Sequence, residues 1–97
     1  MTIQAGHYRQ LYRLFASIGT AKEAEALLQD ILTPQELEDV AERWQIVREL
    51  AKGSPQRDIA EKLGCSISKI TRGSRMLQCG TGGFAHFLKK MRMGKED

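Results

Sequence analysis

Apolar residues recur at helical spacing along almost the whole chain, and glycine or proline signals divide this pattern into separate segments. The first stripe, within residues 3–18, consists of Tyr8, Leu11, Tyr12, Phe15 and Ile18. Gly19 ends it, a second helix is predicted over 21–31, and a last one runs from Gly83 to about Met93 after a glycine-rich break. Every segment has this period, so the sequence predicts an all-α fold of about six helices. Only the final GKED looks disordered.

The strongest helix start lies at Thr33, which is suited to cap a helix through its hydroxyl group. Pro34 suits the first helical position, and Glu36 completes a Thr-x-x-Glu capping box. The predicted helix runs to about Lys52 and ends at Gly53. Its apolar residues cover an arc wide enough to pack on more than one neighbour. We therefore expect this helix at the centre of the fold, with its single tryptophan in the core.

A helix-turn-helix pattern covers about residues 55–77. Ser54 is expected to cap the first of the two helices, with the proline after it at the first helical position. Small Ala60 lets the second helix, about residues 66–77, cross closely over the first, and Gly64 permits the tight turn between them. This spacing indicates DNA binding. The alternative is a helical hairpin that serves only for packing.

The length and the charge distribution of the chain indicate which partners it binds. A domain of 97 residues lies near the lower end of what one hydrophobic core can stabilise, so a partner subunit would help. Residues 1–51 carry 5 Lys/Arg against 8 Asp/Glu, whereas residues 52–97 carry 10 against 4. The basic second half predicts contact with a polyanion, although a solvated basic surface would have the same balance. We treat the chain as a single helical DNA-binding domain, 1–97.

Several classes of protein do not fit the sequence. No apolar run approaches the roughly 20 residues of a membrane span, and the N-terminus lacks the layout of a signal peptide, so we expect a cytoplasmic protein without a membrane partner. Cys65 and Cys79 form no Cys-x-x-Cys pair and lie far from both histidines in sequence, so no metal site is expected. No paired carboxylates, Cys–His pair or phosphate loop occurs at useful spacing, so we expect neither catalytic residues nor an enzyme.

The pair Arg72-Gly73 stands inside the second helix of the motif, where glycine costs about 1 kcal/mol relative to alanine. On a helical wheel Ser68 and Lys69 lie opposite the inward face, at the end that reads base edges. Arg72, Gly73 and Met76 lie further along, where a ring could rest on the glycine beside a guanidinium that stacks on aromatics and binds carboxylates. Alternatively, the arginine contacts phosphate and the glycine is merely tolerated. By propensity alone, Gly73→Ala should raise stability.

The segments LTPQEL, IVREL, QRDIAEKLG and above all ITRGS, in this order, closely resemble the Trp repressor family over roughly residues 25–78. The resemblance implies an intertwined all-α homodimer whose two helix-turn-helix units bind a palindromic operator in double-stranded DNA. In such dimers, the Trp repressor among them, the half-sites lie about 34–36 Å apart. It also implies a sequence-specific transcriptional repressor that takes L-tryptophan, a small amino-acid ligand, as corepressor. Tryptophan biosynthesis or transport genes would be its targets.

The resemblance assigns roles to individual residues. The positions that match the ligand site are Leu32, Thr33, Arg43, Arg72, Gly73 and Met76. Arg72 matches the arginine that holds the carboxylate, Arg43 the opposite wall of the indole, and Gly73 its floor, while the leucine-threonine pair supplies backbone groups. The positions that match DNA contacts are Gln56, Arg57, Ile67, Ser68, Lys69 and Thr71.

Two substitutions and the tail leave an alternative open. Met76 stands where well-known members have a small hydroxyl residue near the ligand amine, and Arg75 replaces an asparagine. The tail LQCGTGGF looks more like a sister branch of Trp-repressor-like proteins with obscure effectors. The chain could therefore be a Trp-repressor-like regulator with a different effector or none. A third possibility, a hairpin that binds protein, leaves the basic half unexplained.

Overall fold

The computed structural model describes residues 1–93, and every regular element in that range is a helix. The helices are α1 (Ala5–Ala16), α2 (Ala21–Ile31), α3 (Pro34–Ala51), α4 (Gln56–Leu63), α5 (Ile67–Cys79) and α6 (Gly83–Met93). The predicted all-α fold with about six helices is confirmed for this part of the chain. The predicted disorder of the last four residues lies outside the described residues.

The chain divides into two compact units, Met1–Leu37 and Glu38–Asp97, with the boundary inside α3. The start of α3 is fixed by two side chains, Thr33 and Glu36. The hydroxyl oxygen of Thr33 accepts from the Glu36 N–H at 3.1 Å, and the Glu36 carboxylate accepts from the Thr33 N–H at 2.8 Å. These two bonds confirm the predicted capping box.

The first two helices contain no buried residue. The most exposed apolar side chains of α1 are 39% to 65% accessible: Tyr8, Leu11, Tyr12, Leu14 and Phe15. A contiguous apolar face of this kind is uncommon on the surface of a monomeric protein.

The core of the second unit is small and joins three helices. Ile46 from α3, Ile59 from α4 and Ile70 from α5 are each at most 1% exposed and form one cluster. The partly buried residues that pack on this cluster are Leu50, Ala60, Leu63 and Cys65. The three isoleucines therefore fix α4 and α5 on α3, the helix that was expected to be the central helix of the fold.

The connection between α4 and α5 is the predicted tight turn. Gly64 has a φ of 65°, in the left-handed region that glycine adopts without strain, and the Cys65 N–H donates to the Ala60 carbonyl at 3.2 Å. The hydroxyl oxygen of Ser66 accepts from the Lys69 N–H at 3.3 Å and caps α5. The helix-turn-helix is thus present, with its second helix extending to Cys79.

One predicted cap is wrong. Ser54 was expected to cap α4, but the helix begins at Gln56, with Pro55 at the cap position and no side-chain cap bond. The Ser54 hydroxyl instead donates to the Glu49 carboxylate at 3.2 Å. A buried carboxylate requires donors, and this need outweighs the local capping preference.

Two absences hold for the described residues. Between residues 1 and 93, no three His, Cys, Asp or Glu side chains are placed to hold a metal ion together. None of the helices in this range combines the length and the apolar character that crossing a membrane requires.

Candidate ligand cavity and DNA-binding helices

A cavity of about 200 Å³ lies between α3, α5 and α6 in the second unit. Three cationic side chains, Arg43, Lys69 and Arg72, line it together with Gly73. Its apolar lining consists of Ile46, Val47, Met76 and Phe84. We call this the ligand cavity. It combines positive charge with an apolar surface, which suits a ligand that is both anionic and aromatic.

Helical spacing explains why these residues meet. Arg43, Ile46 and Val47 are separated by three and four positions on α3, so their side chains share one face. Lys69, Arg72, Gly73 and Met76 repeat that spacing on α5, two helical turns in all. The structure thus brings together four of the six residues predicted for the ligand site: Arg43, Arg72, Gly73 and Met76.

The other two predicted ligand residues lie in the first unit. Leu32 is half-buried directly after α2, and the exposed Thr33 caps α3. Their assignment to the ligand site stays a prediction.

Gly73 makes a close approach between two helices. A Cβ atom at this position would lie 2.9 Å from Cγ2 of Ile46 and 3.7 Å from Cδ1 of Leu50. Because Ile46 is β-branched and buried, it cannot move aside cheaply. The glycine allows α5 to lie against α3, so the expectation that alanine raises stability, which considered helix propensity alone, does not hold.

Phe84 places an aromatic ring from α6 in the cavity lining. Its ring centroid lies 6.3 Å from that of Trp44, with 31° between the ring planes. The tryptophan, which was expected in the core, is half-buried and lies outside the buried core cluster, and it is not among the cavity residues. Sequence reasoning missed Phe84, because the direction of α6 depends on the glycine-rich segment before it.

Lys69 forms an ion pair with the central helix. Its ammonium nitrogen lies 2.9 Å from Oε1 of Glu42, and this hydrogen bond and charge raise the pKa of Lys69. Both residues line a second hollow of about 130 Å³, which shares four residues with the ligand cavity: Arg43, Ile46, Lys69 and Arg72. A lysine that was predicted to reach DNA is therefore held by a carboxylate beside the cavity.

Glu49 is a second residue that sequence reasoning missed. It is 7% exposed and accepts from the Lys62 ammonium at 2.9 Å, the Lys52 ammonium at 3.3 Å and the Ser54 hydroxyl at 3.2 Å. The hydrogen bond from Lys62, with those from Lys52 and Ser54, outweighs the opposing effect of burial and lowers the pKa of Glu49 to about 2. Glu49 lies three residues after Ile46 and therefore on the same face of α3. This spacing was the sequence signal from which its burial could have been predicted.

All six residues predicted to contact DNA are exposed: Gln56, Arg57, Ile67, Ser68, Lys69 and Thr71. The first two begin α4 and the others occupy the first turns of α5. In helix-turn-helix proteins the beginning of the second helix is the part that contacts base edges. The exposure is compatible with DNA contact, and the individual roles stay predictions.

Comparison with known proteins gives one consistent result. The family model described as Trp repressor protein matches residues 6–92. A Trp operon repressor homolog from Chlamydia trachomatis serovar L2 is 40% identical over 84 residues, covering 81% of this chain and 89% of the relative. The Trp operon repressor homolog of Xylella fastidiosa strain M23 is 37% identical over 84 residues, with 86% and 89% covered. That of Vibrio parahaemolyticus serotype O3:K6 is 39% identical over 72 residues, with 73% and 70% covered.

Proposed function

Since the chain belongs to the Trp repressor family, a family of DNA-binding transcriptional repressors and not of enzymes, we propose that L-tryptophan gates its binding to an operator. The observation that carries this proposal is the ligand cavity, where Arg43 and Arg72 flank an apolar surface beside Gly73. The cavity joins α5, which would contact DNA, to the central helix. A ligand bound there would touch both helices and could change the position of α5.

The chemistry of the cavity suits tryptophan. A guanidinium binds a carboxylate through two parallel hydrogen bonds and also stacks on an aromatic face. In this arrangement Arg72 would hold the carboxylate and Arg43 would lie against the indole, with Ile46 and Val47 in apolar contact. A water molecule occupies about 30 Å³ in the liquid, so the 200 Å³ of the cavity can accommodate a molecule of amino-acid size.

The DNA-binding part of the proposal concerns α4 and α5. They would bind the major groove of a palindromic operator as part of a homodimer, because a two-fold dimer presents the motif twice. The uncovered apolar face of α1 supports a second subunit. We propose that the targets are genes of tryptophan biosynthesis or transport; the relatives are named as homologs of a repressor of the Trp operon, which supports a target related to tryptophan.

One observation favours a second candidate function, a repressor of the same family with another effector or none. Met76 lines the cavity and offers no hydroxyl group to the ammonium group of an amino acid. The cationic side chains around it cannot accept that hydrogen bond either. An aromatic acid that lacks the amine would need no hydrogen-bond acceptor at this position.

Calorimetric titration of the full chain with L-tryptophan tests the proposal. We expect binding by the parent, none by Arg72→Ala, and parent-like binding by Arg75→Ala. Arg75 is a matched control because it is an exposed arginine on the same helix and does not line the cavity. A parent that binds no tryptophan but binds a desamino analogue would favour the second candidate.

A further inference from the structure

Two carboxylates of α3 each hold one lysine of the helix-turn-helix. Glu49 binds Lys62 of α4 at 2.9 Å, and Glu42 binds Lys69 of α5 at 2.9 Å. The two glutamates are seven residues apart, two helical turns, and so lie on the same face of α3. The central helix therefore neutralises a lysine in each DNA-binding helix.

The two pairs differ in their surroundings. Glu49 is 7% exposed and has three donors, so breaking its pair would leave a buried charge without compensation. The side chains of Glu42 and Lys69 are 25% and 55% exposed, and theirs is the one ion pair that Glu42 makes within residues 1–93. A pair this accessible to water contributes little to stability and can exchange partners.

Lys69 is also the residue whose change of ion-pair partner would affect DNA binding. It is the third residue of α5, in the turn that enters the major groove. A lysine ammonium is a compact point charge that forms charge-assisted hydrogen bonds with both carboxylate and phosphate oxygens. Glu42 and a DNA phosphate are thus alternative partners for one ammonium group.

We propose that Glu42 sets the DNA affinity of this protein by holding the ammonium group of Lys69, which must exchange the carboxylate for a phosphate oxygen when α5 binds. Glu42 is an affinity-determining residue that itself touches no DNA. The inference rests on the DNA binding of the family and not on tryptophan, so it can hold even if the ligand is different.

A double-mutant cycle tests the exchange. The affinity of a fluorescently labelled duplex of mixed sequence is measured by anisotropy, without tryptophan, for the full-length parent, Glu42→Gln, Lys69→Met and the double variant. An exposed ion pair contributes about 0.2–1 kcal/mol, so Glu42→Gln should bind DNA up to about fivefold more tightly. In the Lys69→Met background the same substitution should have almost no effect.

Glu38→Gln is the matched control, because it removes the same charge one turn earlier on α3 from an exposed residue. An equal gain from Glu38→Gln, or an equal gain with and without Lys69, would show an effect of net charge alone and overturn the proposal. Weaker DNA binding by Glu42→Gln would overturn it too, since Glu42 would then orient Lys69 toward DNA. Glu42→Ala removes the same acceptor, and failure of both variants to fold would show that the pair is structural.

Discussion

Gly73 and Ile46 are in such close contact that no side chain fits between them. A Cβ atom on Gly73 would lie 2.9 Å from Cγ2 of Ile46, which is 1% exposed. The glycine is therefore required by the packing of α5 on α3, and it also lines the ligand cavity. One residue thus serves both the fold and the candidate site.

The first prediction is that Gly73→Ala destabilises the protein despite the better helix propensity of alanine. Overpacking costs about 1–3 kcal/mol and propensity returns about 1 kcal/mol, so we expect a net loss on the order of 1 kcal/mol in the free energy of unfolding. Urea denaturation measures it. Thr71→Ala, at an exposed position of the same helix, should instead be neutral or stabilising. A clear gain from Gly73→Ala would mean that the two helices are not in close contact.

The second prediction concerns Met76. Replacing it with serine supplies a hydroxyl oxygen that can accept a hydrogen bond from the ligand ammonium group, so tryptophan should bind more tightly by about 1 kcal/mol. Met76→Ala is the control, because it shortens the side chain without adding an acceptor. Calorimetry compares the two variants, and equal affinities would exclude a hydrogen bond at this position.

The third prediction is a pH dependence from Glu49. Its pKa is lowered from 4.5 to about 2 in the folded chain, so folding favours the ionised carboxylate. The stabilisation is complete above about pH 4.5 and is lost as the pH falls through the folded value near 2. Glu49→Gln should therefore destabilise most near neutral pH, and its difference from the parent should shrink toward pH 2. Chemical denaturation across this pH range measures how the free energy of unfolding changes with pH. Glu38→Gln should show the same pH dependence as the parent.

The fourth prediction follows from the exposed apolar face of α1. If a second subunit covers it, the unfolding midpoint rises with protein concentration. Phe15→Ser should weaken the dimer, since Phe15 is 40% exposed in the single chain and would be buried in the pair. The control Gln10→Ser changes a polar residue of the same helix. Sedimentation measures the oligomeric state of both variants and of the parent. A stable monomeric parent at micromolar concentration would contradict the prediction.

Local signals predicted the helices well, because each depends on bonds within a few residues. The predicted capping box of Thr33 and Glu36 spans three positions, and Ser66, for which no cap was predicted, caps α5 over the same distance. The left-handed Gly64 is equally local, since only its own backbone angle decides the turn. The helix-turn-helix could therefore be placed from the sequence.

Contacts between distant residues could not be predicted in this way. The pair of Lys69 and Glu42 spans 27 positions and that of Lys62 and Glu49 spans 13. Helical periodicity placed Lys69 on the outer face of α5 but did not show which helix lies beside it. Phe84 depends on a change of direction at Gly82, whose φ is 93°. Four of the six ligand positions carried over by family resemblance line the cavity, whereas Phe84, which depends on packing, was missed.

Retention of an operator duplex with and without L-tryptophan tests the central claim most directly. Because the amino-acid sequence of the protein does not specify the operator, the operator is first selected from a pool of random DNA duplexes in the presence of L-tryptophan. We predict that the parent and Arg75→Ala bind the selected duplex more tightly with tryptophan, and that Arg72→Ala binds it equally with and without. If the parent binds the duplex with the same affinity whether or not tryptophan is present, the protein is not a tryptophan-gated repressor.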